Sequence, residues 1–236
     1  MRHLFYQPGI PDGVHRLDPE ESRHATKAFR LHEGDPLSLT DGKGSFYDAR
    51  ILDVDASKCT FQILNKRLSP AKKFRIHIAI AATKNSDRME WFVEKTTEIG
   101  VHQISFILCT HSERKSINME RIEKIAVSAM KQSQQAWLPV LSPFVPFKTI
   151  VQATPGQRLI AFVDPVNSRH LQSVAYPNGE YVVLIGPEGD FSKDELSLAL
   201  ENGFQKVSLG DTRLRTETAG VAACHILNLI NQPPGT

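Results

Sequence analysis

Residues 184–192 read LIGPEGDFS, a short apolar strand that ends in a turn made of glycine and proline. The two glycines let the backbone approach a ligand closely, and the proline stiffens the turn. Ser192 and Glu195 have the spacing of a capping box, which predicts that a helix begins directly after the turn. Ligands of open α/β sheets lie at such places, where the carboxyl end of a strand leads into a helix. The stretch therefore predicts a binding site in an α/β domain.

A second unusual loop, LGDTRLRTETA at residues 209–219, precedes the last predicted helix. It brings hydroxyl groups, a carboxylate and two arginines to a helix start, where free backbone N–H groups collect. Each loop alone is compatible with a tight turn and a helix cap, but the pair is better explained as one site. Neither loop contains a dinucleotide fingerprint, a phosphate loop or a serine nucleophile elbow. Cys109 and His111 form a lone pair, which is too few for a metal site.

Strands and helices alternate from residue 71 onward, which predicts a mostly parallel sheet with helices packed against it. The run from Phe74 to Ile80 alternates and then becomes continuously apolar, as in a strand that is covered on both faces. Further strands are predicted at residues 104–108, 159–164, 181–185 and 206–209, and helices at residues 86–99, 118–136, 192–202 and 216–230.

The first seventy residues predict a small β-barrel. Three short apolar or β-branched runs, at residues 37–40, 46–54 and 60–64, are separated by turn signals. One short helix is predicted over residues 19–31. Because Ser69-Pro70 is the natural boundary, we predict two domains, residues 1–70 and residues 71–236.

The chain has 236 residues, of which 41% are hydrophobic and 23% are charged. This composition is ordinary for a globular protein and excludes a disordered, collagen-like or coiled-coil chain. The apolar runs are too short to span a membrane, and the N-terminal residues lack the apolar core of a signal peptide. The three cysteines, Cys59, Cys109 and Cys224, are widely spaced, which predicts buried, reduced thiols in a cytoplasmic protein.

The formal charge of +2 is unevenly distributed. Residues 71–160 carry 13 basic and 7 acidic side chains, whereas residues 161–236 carry 5 basic and 9 acidic ones. Residues 65–75 (NKRLSPAKKFR) hold basic side chains and no acidic one. A basic middle segment beside a neutral domain suits a polyanion that threads between two domains, but a solvated basic linker explains this stretch equally well.

Together, the motifs IGPEG, LG and LRTETA resemble the loops of the knotted SPOUT methyltransferases, and specifically of the RsmE family, which methylates N3 of a uridine in 16S rRNA. The resemblance runs over essentially the whole chain, and the order and spacing of its short matches make chance implausible. The matching residues outside the two loops are His24, Phe29-Arg30-Leu31, Gly34-Asp35, Asp41-Gly42, Lys84, Arg88-Met89-Glu90, Lys95, Glu98-Ile99-Gly100, Gln132-Ser133 and Pro139.

The resemblance implies a PUA-like β-barrel that binds RNA at residues 1–70 and a trefoil-knot methyltransferase domain at residues 71–236. It implies that S-adenosyl-L-methionine binds in the knot, that the site is built across a homodimer, and that 16S rRNA in the small ribosomal subunit is the partner. No metal and no membrane are expected. The cofactor-binding residues that it implies are Val163, Leu184, Gly186, Pro187, Glu188, Gly189, Leu209, Gly210, Leu214, Arg215, Thr216, Thr218 and Ala219.

Methylation of a uridine at N3 must expose the base and remove an imide proton. We expect Arg215, together with Arg213, to stabilise the negative charge that develops on the uracil oxygens. Glu217 is expected either to orient the arginine or to accept the proton. A carboxylate in the first turn of a helix is also explained by the helix dipole alone.

Basic residues in both predicted domains are candidates for contacts with RNA phosphates, which position a strand without reading its sequence. These candidates are Arg30, Lys66, Arg67, Lys72, Lys73, Lys84 and Arg88.

Two positions in the loops depart from the family pattern. Asp190 stands where the family usually has a second glycine, and aspartate tolerates left-handed backbone better than most residues, so we expect the turn to be kept. Thr212 takes the place of the arginine that usually follows the LG pair, and Arg213 comes one residue later. The alternatives to the RsmE activity are a SPOUT methyltransferase that acts on another RNA position and a non-catalytic, dimeric RNA-binding platform.

Overall fold

A computed structural model describes residues 3–164 and 169–232 of the chain. The chain divides into two compact units. The first unit comprises Met1–Ala71 together with Val127–Leu138, and the second comprises Lys72–Ala126 and Pro139–Thr236. The boundary between Ala71 and Lys72 lies one residue after the boundary that we predicted between residues 70 and 71. The presence of residues 127–138 in the first unit was not predicted.

A four-stranded sheet forms most of the first unit, with β1 parallel to β2 and the following strands antiparallel. Its inward-facing residues alternate along the strands, as expected for a sheet with one buried face. Phe5, Leu39 and Phe61 are among the largest buried side chains of this core. The strands are β1 (Leu4–Tyr6), β2 (Pro36–Thr40), β3 (Ser45–Asp53) and β4 (Thr60–Leu68).

The predicted helix over residues 19–31 is wrong in its extent. The α-helix α1 covers only Pro19–Arg23 and continues as one π-helical stretch, His24–Ala28. Arg30 then adopts a left-handed backbone with φ 52°, which a continuing helix does not allow.

Residues 127–138 join the first unit through specific contacts. The backbone N–H of Gly44 donates to the carbonyl of Ala136 at 2.8 Å, and the N–H of Leu138 donates to the carbonyl of Gly42 at 2.9 Å. The ammonium of Lys131 pairs with the carboxylate of Glu21. These bonds join segments that lie far apart in sequence, which local patterns do not reveal.

A seven-stranded, fully parallel sheet forms the second unit, in the order β7-β6-β5-β10-β8-β11-β9. The strand β10 lies between β5 and β8, and β11 lies between β8 and β9, so late segments return between strands that come earlier in the chain. The strands are β5 (Arg75–Ala81), β6 (Gln103–Leu108), β7 (Val140–Pro146), β8 (Gln157–Ala161), β9 (Arg169–His170), β10 (Glu180–Ile185) and β11 (Gln205–Ser208).

Helices cover both faces of this sheet. On one face, Ala79 and Ala81 of β5 belong to a cluster with Phe147 and Ala199, which lie in two different helices. On the other face, α7 packs against α2 and β5. The helices of the second unit are α2 (Ser86–Ile99), α4 (Phe147–Ala153), α5 (Leu171–Val174), α6 (Lys193–Glu201) and α7 (Thr216–Ile230), whereas α3 (Met119–Gln132) begins in the second unit and ends in the first.

The helix ends agree with the sequence where a capping residue marks them. The side chain of Asn85 accepts from the N–H of Asp87 at the start of α2, and Gly100 ends that helix with φ 97°. The capping box of Ser192 and Glu195 is formed at the start of α6, as predicted.

The middle of the chain differs from the sequence prediction in two places. The helix α3 ends at Gln132 rather than at residue 136, because Gln134 adopts a left-handed backbone with φ 55°. The strand β7 was missed because Pro143 and Pro146 interrupt its pattern. Proline is tolerated there because β7 is an edge strand of the sheet.

The three cysteines are buried and unpaired, as predicted. Desolvation raises the pKa of the thiols of Cys59, Cys109 and Cys224, so all three are protonated and unreactive at neutral pH. Among the described residues, no helix is both long enough and apolar enough to cross a lipid bilayer.

Candidate active site

A cavity of about 940 Å³ opens where β8, β10 and β11 end in the second unit. This volume lies near the upper end of the range for small-molecule sites, roughly 300–1,000 Å³. Both loops singled out from the sequence line it. The lining residues are Arg88, Ala161, Phe162, Val163, Asp164, Ile185, Gly186, Pro187, Glu188, Asp190, Val207, Ser208, Leu209, Gly210, Asp211, Thr212, Arg213, Leu214, Arg215, Thr216 and Ala219.

A direct hydrogen bond joins the two loops. The hydroxyl of Thr216, the first residue of α7, donates to the backbone carbonyl of Gly186 at 3.1 Å. Thr216 is buried, and both residues line the cavity. The start of α7 is thereby held against the end of β10, and the two loops form the wall of one cavity, as their sequences predicted.

The turn after β10 keeps the left-handed residue that we expected. Asp190 has φ 63°, and its carboxylate accepts from the N–H of Phe191 at 2.8 Å. The N–H of Asp190 donates to the carbonyl of Pro187 at 2.9 Å, which closes the turn. A Cβ at Gly186 would lie 3.1 Å from the Phe191 ring, so a larger residue there would require the ring to shift by a few tenths of an ångström.

The loop after β6 supports this turn from outside. His111 Nδ1 lies 3.0 Å from the carbonyl oxygen of Asp190, and a Cβ on Gly189 would lie 3.2 Å from the His111 Cβ. The N–H of Thr110 donates to Glu195 Oε1 at 2.7 Å. His111 therefore has a structural role in the turn. Within residues 3–164 and 169–232, no cluster of three metal-ligating side chains is present.

An ion pair stands beside the cavity. Arg88 of α2 lies with its Nε 3.6 Å from Oε1 of Glu217, in the first turn of α7. Arg88 lines the cavity, whereas Glu217 is buried and does not line it. Arg88 was predicted to contact RNA phosphates, and its ion pair with Glu217 was not predicted.

Most of the predicted cofactor-binding residues line the cavity, and three do not. Leu184 is buried in the sheet, where its side chain belongs to the apolar cluster beneath α4 and α6. Gly189 and Thr218 lie next to lining residues but do not line the cavity. The strand end Phe162–Asp164 does line it, and the resemblance to the family implied Val163 of this segment as a cofactor-binding residue.

Both arginines that were expected to act on the substrate, Arg213 and Arg215, line the cavity. Arg215 is also the residue that immediately precedes α7. Glu217, which was expected to orient an arginine or to accept a proton, pairs with Arg88 rather than with either of them.

The RNA candidates occupy varied environments. Lys66 and Arg67 lie in β4 rather than in a linker, over the rings of Tyr47 and Phe46. Arg30 and Lys73 are exposed. The Lys84 ammonium is exposed and lies 3.7 Å from Glu113.

Lys72 differs from its neighbours because its ammonium forms hydrogen bonds within the second unit. It donates to Asn228 Oδ1 at 2.9 Å and to the carbonyl of Gly100 at 3.2 Å. Desolvation of this ammonium lowers the pKa of Lys72. Although the residue as a whole is exposed, its charge is engaged in holding the fold.

Known proteins with similar chains share this architecture. Residues 70–228 match a family model of an RNA methyltransferase domain, and residues 17–64 match an RNA methyltransferase PUA domain. The crystal structure of a probable rRNA-methyltransferase from Porphyromonas gingivalis is 46% identical, with a TM-score of 0.91 over 97% of this chain and 98% of that one.

Two relatives carry a more specific name. Ribosomal RNA small subunit methyltransferase E from Neisseria gonorrhoeae, crystallised with S-adenosyl methionine, is 25% identical, with a TM-score of 0.87 over 98% of each chain. The enzyme of the same name from Buchnera aphidicola is 30% identical over 215 residues, 88% of this chain and 84% of that protein. The resemblance and the fold class predicted from the sequence, a PUA-like domain followed by a SPOUT-type α/β domain, are confirmed, and the chain belongs to the RsmE family of RNA methyltransferases.

Proposed function

We propose that this protein methylates N3 of a specific uridine in 16S rRNA and takes the methyl group from S-adenosyl-L-methionine. The observation that carries the proposal is the single cavity formed by the two loops, which the Thr216–Gly186 hydrogen bond holds together. The relatives from Neisseria gonorrhoeae and Buchnera aphidicola are small-subunit rRNA methyltransferases by name, and the one from Neisseria gonorrhoeae was crystallised with S-adenosyl methionine.

The cavity has the chemistry that this donor requires. Leu209 and Leu214 supply apolar side chains that can enclose a planar adenine ring, and the loop backbone supplies N–H and C=O groups for its edge. Gly210, with φ 137°, adopts a backbone that a larger residue rarely adopts, and open space lies where a Cβ would stand. When bound, S-adenosylmethionine supplies a methyl group on a positively charged sulfur.

The protein's own contribution is position and electrostatics. The N3 position of uridine lies between two carbonyl oxygens, which carry negative charge once the imide proton has left. Arg213 and Arg215 place two guanidinium groups on the cavity wall. We propose that Arg215, together with Arg213, stabilises this charge. Glu188 and Asp190 also line the cavity, and their carboxylates would repel a phosphate group bound there, because both carry negative charge.

RNA binding, domain roles and assembly belong to the same proposal. Residues 1–70 serve as the RNA-binding domain, and residues 71–236 carry the transfer site. The protein acts as a homodimer in the cytoplasm, and its substrate is the rRNA within the small ribosomal subunit. The match of residues 17–64 to a PUA domain of RNA methyltransferases supports the first assignment. The buried, protonated thiols are compatible with a reducing compartment.

Two measurements test the proposal. Calorimetry should show that the protein binds S-adenosylmethionine with one site per chain. Mass spectrometry of 16S rRNA from a strain that lacks the gene should show one unmethylated uridine, and restoring the protein should restore the methyl group. Loss of a methyl group elsewhere would assign another RNA position, and failure to bind the donor would indicate a non-catalytic RNA-binding platform.

The variant R215A separates chemistry from cofactor binding. Because Arg215 is expected to act on the charge of the base, R215A should lower turnover at least about 100-fold, the effect typical of removing one charge-stabilising donor. The affinity for S-adenosylmethionine should fall much less. Unchanged turnover in R215A would remove Arg215 from the mechanism.

A further inference from the structure

Glu217 is an unusual residue for its place in the fold. It is only 6% exposed, and its Oε2 atom has no hydrogen-bond partner among the described residues. Its Oε1 atom lies 3.6 Å from Nε of Arg88, which is an ion pair but too long for a hydrogen bond. Burying a carboxylate with so few partners costs stability, since the Oε2 oxygen loses its hydration without gaining a hydrogen bond. The fold gains little from this side chain, which points to a role in the site.

Arg88 stands at a distinct part of the cavity wall. It comes from α2, which follows β5, whereas Arg213 and Arg215 come from the loop that follows β11. In the sheet, β5 and β11 are separated by β10 and β8. The cavity therefore has cationic side chains from two separate segments. The loop after β11, which carries Arg213 and Arg215, also carries the apolar residues Leu209 and Leu214.

The apolar pair Leu209 and Leu214 suits the adenine of the donor, and Arg88, which comes from a separate segment, is available to the second reactant in addition to Arg213 and Arg215. The planar guanidinium of an arginine presents several N–H donors, which match oxygen acceptors such as the carbonyl groups of a nucleobase. The side chain of Arg88 is 36% exposed, so an incoming base can reach it. A flexible arginine needs a fixed partner to present its guanidinium in one orientation, and Glu217 is the carboxylate that the structure places behind it.

We propose that Arg88 contacts the carbonyl oxygens of the acceptor base and that Glu217 is the positioning residue that holds its guanidinium. This inference rests on the proposed function. It assigns to Glu217 neither proton transfer nor contact with the base, because Glu217 does not line the cavity.

A double-mutant cycle tests the pair. The variants are R88A, E217Q, the double variant R88A/E217Q and the conservative variant R88K. The first readout is the affinity for a 16S rRNA transcript, measured with the protein saturated by S-adenosylhomocysteine, which carries no methyl group to transfer. The second is kcat and KM for methylation of the same RNA as a function of pH.

The expected results follow from Glu217 acting through Arg88. R88A should weaken RNA binding by about tenfold, since a charge-assisted contact is lost, and E217Q by about threefold. The double variant should be no worse than R88A alone, because the two residues act as one unit. R88K should recover part of the loss. E217Q should shift no pKa of the pH–rate profile and should leave the affinity for S-adenosylmethionine within about twofold of the parent, as expected for a residue that contacts neither reactant.

A matched control lies on the same helix. Glu90 and Arg121 form an exposed ion pair of 2.6 Å, and they line a separate small cleft of about 210 Å³. E90Q removes a carboxylate two residues from Arg88 without touching the large cavity, so it should change neither RNA affinity nor kcat.

Thermal unfolding of E217Q should occur at or above the parent temperature, because a poorly paired buried charge has been removed.

Other results would overturn the inference. Losses that add in the double variant would show that the two residues act separately. A loss of kcat confined to E217Q, with one limb of the pH profile removed, would make Glu217 the proton acceptor. Unchanged RNA affinity in R88A would place the base elsewhere. If the parent protein binds the donor but methylates no RNA, the proposed function fails, while the binding cycle still decides the role of the pair.

Discussion

At the scale of single residues, Asp190 determines the backbone shape of the turn that follows β10. Its backbone is left-handed, with φ 63°, and its carboxylate accepts from the N–H of Phe191 at 2.8 Å. A left-handed conformation costs an ordinary residue roughly 1–2 kcal/mol, and aspartate or asparagine lowers this cost by local hydrogen bonding. Asp190 therefore replaces a glycine through its side-chain bond rather than through the absence of a side chain.

D190A should reduce the free energy of unfolding by about 1 kcal/mol, because alanine keeps the left-handed strain and loses the hydrogen bond. D190N is the matched control, since asparagine retains both the acceptor and the tolerance for positive φ, and it should stay within about 0.5 kcal/mol of the parent. Urea denaturation measures both values. Equal stabilities of D190A and D190N would show that the side-chain bond does not hold the turn.

At the scale of elements, the contact between α2 and α7 holds the start of α7 against the sheet. Gly220 of α7 faces this contact, and a Cβ there would lie 2.5 Å from Cε2 of Phe92 and 3.1 Å from Cδ1 of Ile80. Both neighbours are fully buried in the core. The small residue therefore sets how closely the two helices approach, and through α7 it sets the position of Thr216 and Glu217.

G220A tests two opposing effects. Helix propensity favours alanine over glycine by about 1 kcal/mol, whereas forcing a methyl group into a packed core costs roughly 1–3 kcal/mol. Because the contact at 2.5 Å is with an aromatic ring, we expect the clash to prevail and the free energy of unfolding to fall by about 1 kcal/mol. F92L should relieve the clash, so the double variant should lose less than the two single losses combined. A more stable G220A would show that the helices can separate without cost.

The elements also show what local sequence can predict. The helices α2 and α6 were predicted within a residue or two because Asn85, Gly100 and the Ser192–Glu195 box mark their ends. The strand β7 was missed because edge strands accept prolines that a central strand excludes. Both loops of the site were found because turn residues and caps are local signals. The pair of Arg88 and Glu217 was not found, because their contact depends on the packing of α2 against α7.

At the scale of the whole molecule, two histidines tie stability to pH. His102 Nδ1 accepts from the N–H of Ile76 at 3.1 Å, which requires a neutral ring. Desolvation, together with the charges of Lys72 and Arg75, lowers the pKa of His102 to about 4. Desolvation lowers the pKa of His77 to about 4 as well. In the unfolded chain both rings titrate near the ordinary value of about 6.5.

Because both pKa values are lower in the folded state, their contribution to stability is fully present above pH 6.5 and is lost as the pH falls towards 4. Two extra protons on the unfolded chain give a slope of up to about 3 kcal/mol per pH unit in this window. H102N keeps an acceptor for Ile76 and should remove about half of that slope in urea denaturation between pH 4.5 and 7.5. H225Q, at an exposed position, is the control. An unchanged slope in H102N would show that His102 is not titrating in this range.

Lys72 and Lys73 are adjacent lysines in different surroundings, so they allow the role of charge in stability to be separated from its role in the proposed RNA binding. The ammonium of Lys72 bonds the carbonyl of Gly100 at the end of α2 and Asn228 of α7, and it lies 5.2 Å from the ring centre of Phe74. Lys73 is exposed. A cation at the end of α2 also meets the negative end of the helix dipole. The charge of Lys72 therefore serves the fold, and that of Lys73 is available to a phosphate.

K72M and K73M remove one charge each and keep the aliphatic chain, so they separate the two roles. K72M leaves two acceptors without their donor and should lower the free energy of unfolding by about 2 kcal/mol, with little effect on the salt dependence of RNA binding. K73M should leave stability unchanged, weaken RNA binding, and reduce the slope of log affinity against log salt by about 1, as expected for one lost phosphate contact. Fluorescence titration of 16S rRNA fragments at several salt concentrations measures the slope. The assignment fails if K72M reduces the slope while K73M does not, because the engaged ammonium would then be the one that RNA displaces.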